Sequence, residues 1–466
     1  MTVTFMEFTR KEMHLVLLAC CFGGFVTPLL STMMNLSLVN IGSEFGVGSH
    51  DLGYVNTAFL LTSVIAMVPS AKLGDILGRK RVFLIGMGIM GITCLLAPLS
   101  PNFWSLILCR AVIGVGAAAS TCMSVALIAD VYPKSERGGA LGLQTMCVYI
   151  GLAAGPAIGG VVNDIAGWHG LFLLVVPLAV VSILCMISFK HEIKPAFGSK
   201  MDLVGVALYG SAILMSMLGV LNLPELWAVA SLIAGLIILS VFGWQQSHSE
   251  NFLLNVRLFR SRVFTGSCIA SFMCYAASYS LNFFLPLYLQ NIGRLSSTEA
   301  GVMLLIQPIV QAIFTPVFGR LSDKVSDKRI LPTVGMATAA LGELTVVFYT
   351  VDMSLYVVVA TMALVGFGFA MFSAPNTSII MSSVPPSETG EASAMTAVTR
   401  QTGMMVSMGI AMLCISLIMG SADNISPETY DDFLAVLRTS FGIAFSMCCI
   451  GAVFSVLRGN GQSDTC

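Results

Sequence analysis

Long apolar runs, each closed by a short polar turn, repeat from one end of the chain to the other. The runs reach about 18 residues or more, the length a helix needs to cross about 30 Å of hydrocarbon. Fourteen spans are predicted, near 14–40, 51–70, 81–99, 103–130, 140–162, 169–189, 202–222, 225–245, 264–288, 299–318, 330–350, 354–381, 392–419 and 436–457. Each reads as a helix, because a segment in hydrocarbon must satisfy its own backbone hydrogen bonds. The expected fold is an all-α integral membrane protein with fourteen transmembrane helices.

The turns carry the topology. Ala71 to Arg81 holds four cations and one acid in eleven positions, between two apolar runs. Gly319 to Arg329 repeats it at an offset of 248 residues, so that Leu73, Asp75, Lys80 and Arg81 meet Leu321, Asp323, Lys328 and Arg329. An internal duplication of this kind is how many secondary transporters are built. With the N-terminus inside, Lys and Arg crowd the cytoplasmic turns and only Arg294 falls outside, as the positive-inside rule requires. Both termini are therefore expected in the cytoplasm of a multi-pass plasma-membrane protein. The predicted domains are a six-helix bundle over 1–190, a linker with two extra helices over 191–262, and a second six-helix bundle with a short tail over 263–466.

Composition agrees: 56% of residues are hydrophobic and 10% charged, against about 25% charged in soluble domains. The cysteines lie mostly in apolar runs without a Cys-x-x-Cys pair, and read as small buried hydrophobes. No phosphate-binding G-x-x-x-x-G-K-[ST] loop, H-E-x-x-H or G-x-S-x-G pattern occurs. Neither an enzyme nor an ATP-driven pump is expected, and no metal, cofactor or nucleic-acid partner. The expected partners are a small-molecule substrate, protons and the bilayer, with the chain acting as a monomer.

A charge at mid-bilayer costs at least about 2.5–3.5 kcal/mol, so each one needs a reason. Arg110 sits about seven residues into the fourth span, Glu343 deep in the eleventh and Arg400 in the thirteenth. These three are the coupling candidates; an acid such as Glu343 suits a proton carrier. Asp75 and Asp323 close their spans beside Arg79, Lys80 and Arg329, and are candidate gate latches. Gly151, Gly155 and Gly159 fall four apart on one face, with Pro156 among them, which lets two helices approach closely and bends the span. Thr27, Asn35, Ser124, Tyr275, Tyr279, Asn282 and Asn376 are candidate cavity residues from spans one, four, nine and twelve.

These motifs resemble those of the major facilitator superfamily. Ala71 to Arg81, with Asp75, Gly78 and Arg79, is similar to its loop signature G-x-L-a-D-r-x-G-r-k; Leu106 to Gly116 is similar to its fourth-span motif, with Arg110 as the motif arginine. Gly151 to Gly160 resembles the antiporter motif G-x-x-x-G-P-x-x-G-G, and Trp168 to Phe172 a worn W-R-W-i-F of the fourteen-span drug:proton antiporters. The resemblance implies two six-helix bundles related by a pseudo-twofold axis, a central cavity and alternating access by rocking. It also places Glu343 on a peripheral helix. Two residues depart from the pattern. Ala71 replaces the first motif glycine, and Asn35 stands where the family places an acid, which leaves Arg110 without its expected carboxylate. The function implied is export of hydrophobic or cationic small molecules by proton antiport, driven by the proton gradient. The alternative is an uncoupled exporter or facilitator of one metabolite.

Overall fold

A computed structural model describes residues 8–193, 201–223, 225–249, 253–254, 256–384, 389–420 and 425–459. The first half comprises α1 (Arg10–Leu36), α2 (Leu38–Phe45), α3 (Ser49–Leu77), α4 (Arg79–Leu96), α5 (Phe103–Val131) and α6 (Lys134–Ser188). Next come α7 (Leu203–Leu221) and α8 (Leu226–His248). The second half comprises α9 (Arg262–Ser278), α10 (Leu281–Leu287), α11 (Ser297–Leu304), α12 (Ile306–Lys324), α13 (Ile330–Val346), α14 (Leu355–Ser382), α15 (Thr389–Ile418) and α16 (Tyr430–Leu457).

Among the described residues, twelve helices are long and apolar enough to cross a membrane. One of these, Gly139–Ser188, runs 50 residues, about 75 Å at 1.5 Å per residue and far more than one bilayer needs. It breaks at Gly167, whose φ of 64° lies in the left-handed region where a side chain is disfavoured. The sequence predicts a connection there, between 162 and 169; the structure makes it a sharp break without a loop. The shorter apolar helix Ile330–Val346 lies where the eleventh span is predicted.

Three predicted spans are interrupted. The first turns at Ser37, between α1 and α2. In the ninth, Tyr279 and Ser280 keep helical dihedrals but the regular hydrogen bonding lapses, and the Ser280 amide donates instead to the Ser407 hydroxyl of α15 at 2.9 Å. The tenth is divided at Leu305, between α11 and α12. The start of α11 is fixed by a capping box: the Glu299 amide donates to the Ser296 hydroxyl at 3.2 Å, and the Ser296 amide to the Glu299 carboxylate at 2.9 Å.

Helix α6 makes the contacts that organise the first half. A methyl group at Gly151 would meet the Phe25 carbonyl, at Gly155 the Thr32 side chain, and at Gly159 the backbone of Met33. All three belong to α1, so the glycine stripe closes α6 on α1 within one half. The adjacent Gly160 faces Ser297 and Thr298 of α11, across the divide, and Gly301 of α11 lies on the Pro156 carbonyl. The extra helices cover a different seam. The Tyr209 hydroxyl of α7 donates to the Val64 carbonyl of α3 at 3.0 Å, and Val220 of α7 lies on Gly409 of α15. Helix α8 stands outside α7 with most of its surface free, as a lipid-facing helix would.

Gly155→Ala is expected to lower the melting temperature of the detergent-solubilised protein through a core clash of about 1–3 kcal/mol. Gly88→Ala, with nothing within 4 Å of the new carbon, is expected to be neutral or stabilising by up to about 1 kcal/mol. Equal shifts for the two would contradict the close-contact assignment.

Candidate functional site: the divide between the halves

The two halves touch at one end and part at the other. At the end away from the basic turns, the Asn163 amide donates to the Ser297 hydroxyl at 2.9 Å. The Asp164 carboxylate accepts from the Thr298 amide at 2.9 Å and from its hydroxyl at 2.5 Å. Thr298 is in the first turn of α11, so Asp164 caps a helix N-terminus belonging to the opposite half, where a negative charge is favoured. Nearby, Gln290 donates to the Leu36 carbonyl at 3.2 Å, and Met412 of α15 packs on Gly53 of α3. Below this seal, a cavity of about 840 Å³ separates α6 from α12, with Ala157, Ile158 and Leu305 at its closed end and Gly142 and Gly319 toward the basic turns.

Among the described residues, the hydrogen bonds of the two repeated basic turns stay within their own halves. Arg79 pairs with Asp75 at 2.8 Å and with Asp130 of α5 at 2.7 Å. Gly78, at φ 120°, lets Glu192 approach and accept from the Lys80 amide at 2.9 Å. The Lys80 ammonium donates to the Phe189 carbonyl. All these groups belong to the first half, so the latch ties α3, α4 and α5 to the end of α6. In the duplicate turn Arg329 pairs with Asp327 at 2.9 Å and donates to the Val456 carbonyl at 3.2 Å. The Arg329 hydrogen bond holds the Asp327 carboxyl below the usual carboxylate range. The side chain of Asp323 lies outside the described residues.

Midway along the divide, Arg110 is fully buried. Its Nε donates to the Val55 carbonyl of α3 at 3.0 Å, and its guanidinium lies 4.8 Å from the centre of the Phe59 ring. Both terminal nitrogens lack a partner. Asn35 engages the next residue of α3, accepting from the Asn56 amide at 2.7 Å, and the Asn56 oxygen is itself left free. Tyr279 comes from the second half to interact with both Ser31 and Arg110. Further along, Arg400 lies 5.8 Å from the Tyr275 ring and is exposed although it is well within α15, which puts it in the space between the halves. Tyr149 of α6, on the cavity wall, is within electrostatic reach of Tyr275.

The model of the Major Facilitator Superfamily matches residues 20–256 and 267–463. The chain belongs to this superfamily. It is a multi-pass membrane transporter by family. It is 27% identical over 450 residues to the riboflavin transporter RibZ of Clostridioides difficile, covering 96% of this chain and 97% of that one. It is 24% identical to the lincomycin resistance protein LmrB of Listeria monocytogenes, over 93% and 94% of the two chains. To the multidrug resistance protein Stp of Mycobacterium tuberculosis it is 27% identical, over 86% and 75%. Among solved structures, a bacterial homologue of the human lysosomal transporter Spinster, inward-facing and unoccupied, superposes with TM-score 0.69 at 16% identity, covering 97% and 98%. A peptide-bound transporter of the POT family gives TM-score 0.74 at 14% identity, covering 96% of each chain. At such identities the likeness concerns the fold.

The other residues singled out in the sequence have these partners in the transporter. Ser124 bonds the Ser120 carbonyl at 2.8 Å inside the first bundle, and Thr27 bonds the Gly23 carbonyl of its own helix at 3.4 Å. Asn282 bonds the Tyr279 carbonyl at 3.4 Å. Asn376 is tied inside the second bundle to Ser267 and Arg458. Burial lowers the Arg458 guanidinium to about 10. Glu343 is fully buried against Ser278 and Cys448, away from the divide. Sequence reasoning missed Asn56, Asp130, Tyr149 and Asp164. Asp164 had a signal: an acid four residues beyond the antiporter glycines.

Removing the Asp164 carboxylate is expected to free the Thr298 amide. In Asp164→Ala its hydrogen exchange should rise at least about tenfold, from a charged hydrogen bond worth about 1.5–3 kcal/mol. An unchanged rate would remove Asp164 from the seal.

Proposed function

We propose that this transporter exports small aromatic molecules, neutral or anionic, by alternating access across a plasma membrane. In this reading Gly139–Ser188 forms two spans and Ile330–Val346 one, giving fourteen, with both termini in the cytoplasm and the monomer as the working unit. The cavity between α6 and α12 then opens to the cytoplasm and the seal at Asp164 closes the outside.

The observation that carries the substrate class is the charge of the divide. Arg110 keeps an uncompensated charge buried beside the divide, Arg400 stands exposed at Tyr275, and no acid lines the cavity among the described residues. A cation held 6 Å from either arginine would be repelled by about 3 kcal/mol at an effective dielectric of 20. A carboxylate instead meets a planar pair of donors, a ring carbonyl accepts one, and tyrosines supply flat apolar walls. Riboflavin, named for the Clostridioides relative, is a neutral planar ring system with carbonyl acceptors on its edge. Export of hydrophobic drugs over a broader range is the second reading, favoured by the small and apolar residues along the cavity wall and by the names of the Listeria and Mycobacterium relatives. A proton gradient supplies the driving force, at about 2.3 kcal/mol per charge per 100 mV.

The test is competitive transport in proteoliposomes by the full chain. Riboflavin and planar aromatic carboxylates are expected to move, and lipophilic cations at least tenfold more slowly. Arg400→Glu should narrow or invert that ratio. A wild-type protein that moves lipophilic cations as fast as the aromatic acids would overturn the assignment.

A further inference from the structure

The cavity helix of the second half loses its regular hydrogen bonding beside a buried acid, and this local irregularity is its break. Helix α9 ends at Ser278 and α10 begins at Leu281. At the break, Tyr279 points to Ser31 and Arg110 of the first half, and the Ser280 amide is held by Ser407 of α15. One residue earlier, the Ser278 hydroxyl donates to the Glu343 carboxyl of α13. Glu343 is the one fully buried acid among the described residues.

Among the described residues, its surroundings hold no counter-charge. The thiol of Cys448 on α16 lies 3.6 Å from its second oxygen. Cys274, one turn before Ser278 on α9, is the other titratable group against it. From α14, Val365 and Leu364 cover the neighbouring Gly342, and Thr361 bonds Thr345. No cation acts on the carboxyl. An ionised carboxylate in such a site costs several kcal/mol with nothing to offset it. As a neutral acid the group both donates and accepts; ionised, it only accepts. One proton therefore changes both the cost of the site and the bonds available at the helix break.

We propose that Glu343 positions the break of the cavity helix through Ser278, and that loading or unloading its proton moves Tyr279 relative to Arg110. When the break shifts in the inward-open state, the carboxyl gains water from the open cavity and passes its proton there; after access reverses, it takes up a proton from the outside water and the break re-forms. Glu343 touches no substrate, and its role runs through Ser278. The inference rests on the alternating-access reading above and gives it a proton site away from Asn35.

Hydrogen exchange of residues 276–284 in the purified full chain, corrected for intrinsic pH dependence, tests it without any substrate. Wild type is expected to change its exchange about tenfold across a pH titration, the loss or gain of one hydrogen bond. Glu343→Gln, which keeps the shape and removes the titration, should hold one level at every pH. Ser278→Ala leaves the acid in place, so it carries the test if the glutamine variant does not fold. It should speed exchange about tenfold and shift the pH at which the change occurs. A flat wild-type profile, a glutamine variant with the wild-type response, or an alanine variant with wild-type exchange would each overturn the inference. Liposome transport separates the two readings. A pH-dependent break with no solute moved leaves Glu343 standing and removes the transport assignment. Transport with a flat exchange profile does the reverse.

Discussion

Backbone contact along α6 is the constraint on which the rest of this conformation depends. In hydrocarbon there is no hydrophobic force between helices, so association rests on close packing and on hydrogen bonds. Four glycines and one proline give α6 two bare faces. One meets α1 and fixes the first bundle; the other meets α11 across the divide. Only there do Asn163 and Asp164 come within bonding distance of Ser297 and Thr298. The cavity below lies where α6 faces α12 toward the basic turns.

The charges divide into two kinds of work. Those at the basic turns are satisfied locally: Arg79 is held by Asp75 and Asp130, and Arg329 by Asp327. Those in the spans are under-satisfied. Arg110 keeps two nitrogens without partners, and Glu343 has only a hydroxyl and a thiol. Buried polar groups are normally paired, so these two mark where a solute or a proton can change the energy of the site. Between them stands the α9–α10 break, with Tyr279 on one side and Ser278 on the other.

Much of this was legible in the sequence. Apolar run lengths gave the helices, and the repeated turn marked the same loop in each part of the chain. The spacing of Gly151, Gly155 and Gly159 announced a tight helix contact, though not its partner, because spacing names a face and α1 is identified only by the fold. Arg110 and Glu343 were visible as charges in apolar runs. Ser124 and Asn376 were not readable as bundle-interior residues, because a lone polar side chain on a membrane helix looks the same whether it faces a cavity or a neighbouring helix. The breaks at Ser37, Tyr279 and Leu305 left no trace in hydropathy, since a one-residue interruption keeps an apolar run apolar. Asp164 lay in a short connection, where an acid reads as solvated until the N-terminus of α11 is brought to it.

The central claim is that one end closes as the other opens. Two pairs of spin labels attached through ketone-bearing residues, one pair across α6 and α11 at the Asp164 end and one across α6 and α12 at the basic end, measure it in liposomes. During turnover the two distances are predicted to change in opposite directions. Distances that stay fixed at both ends while solute crosses, or that widen together, would contradict the account.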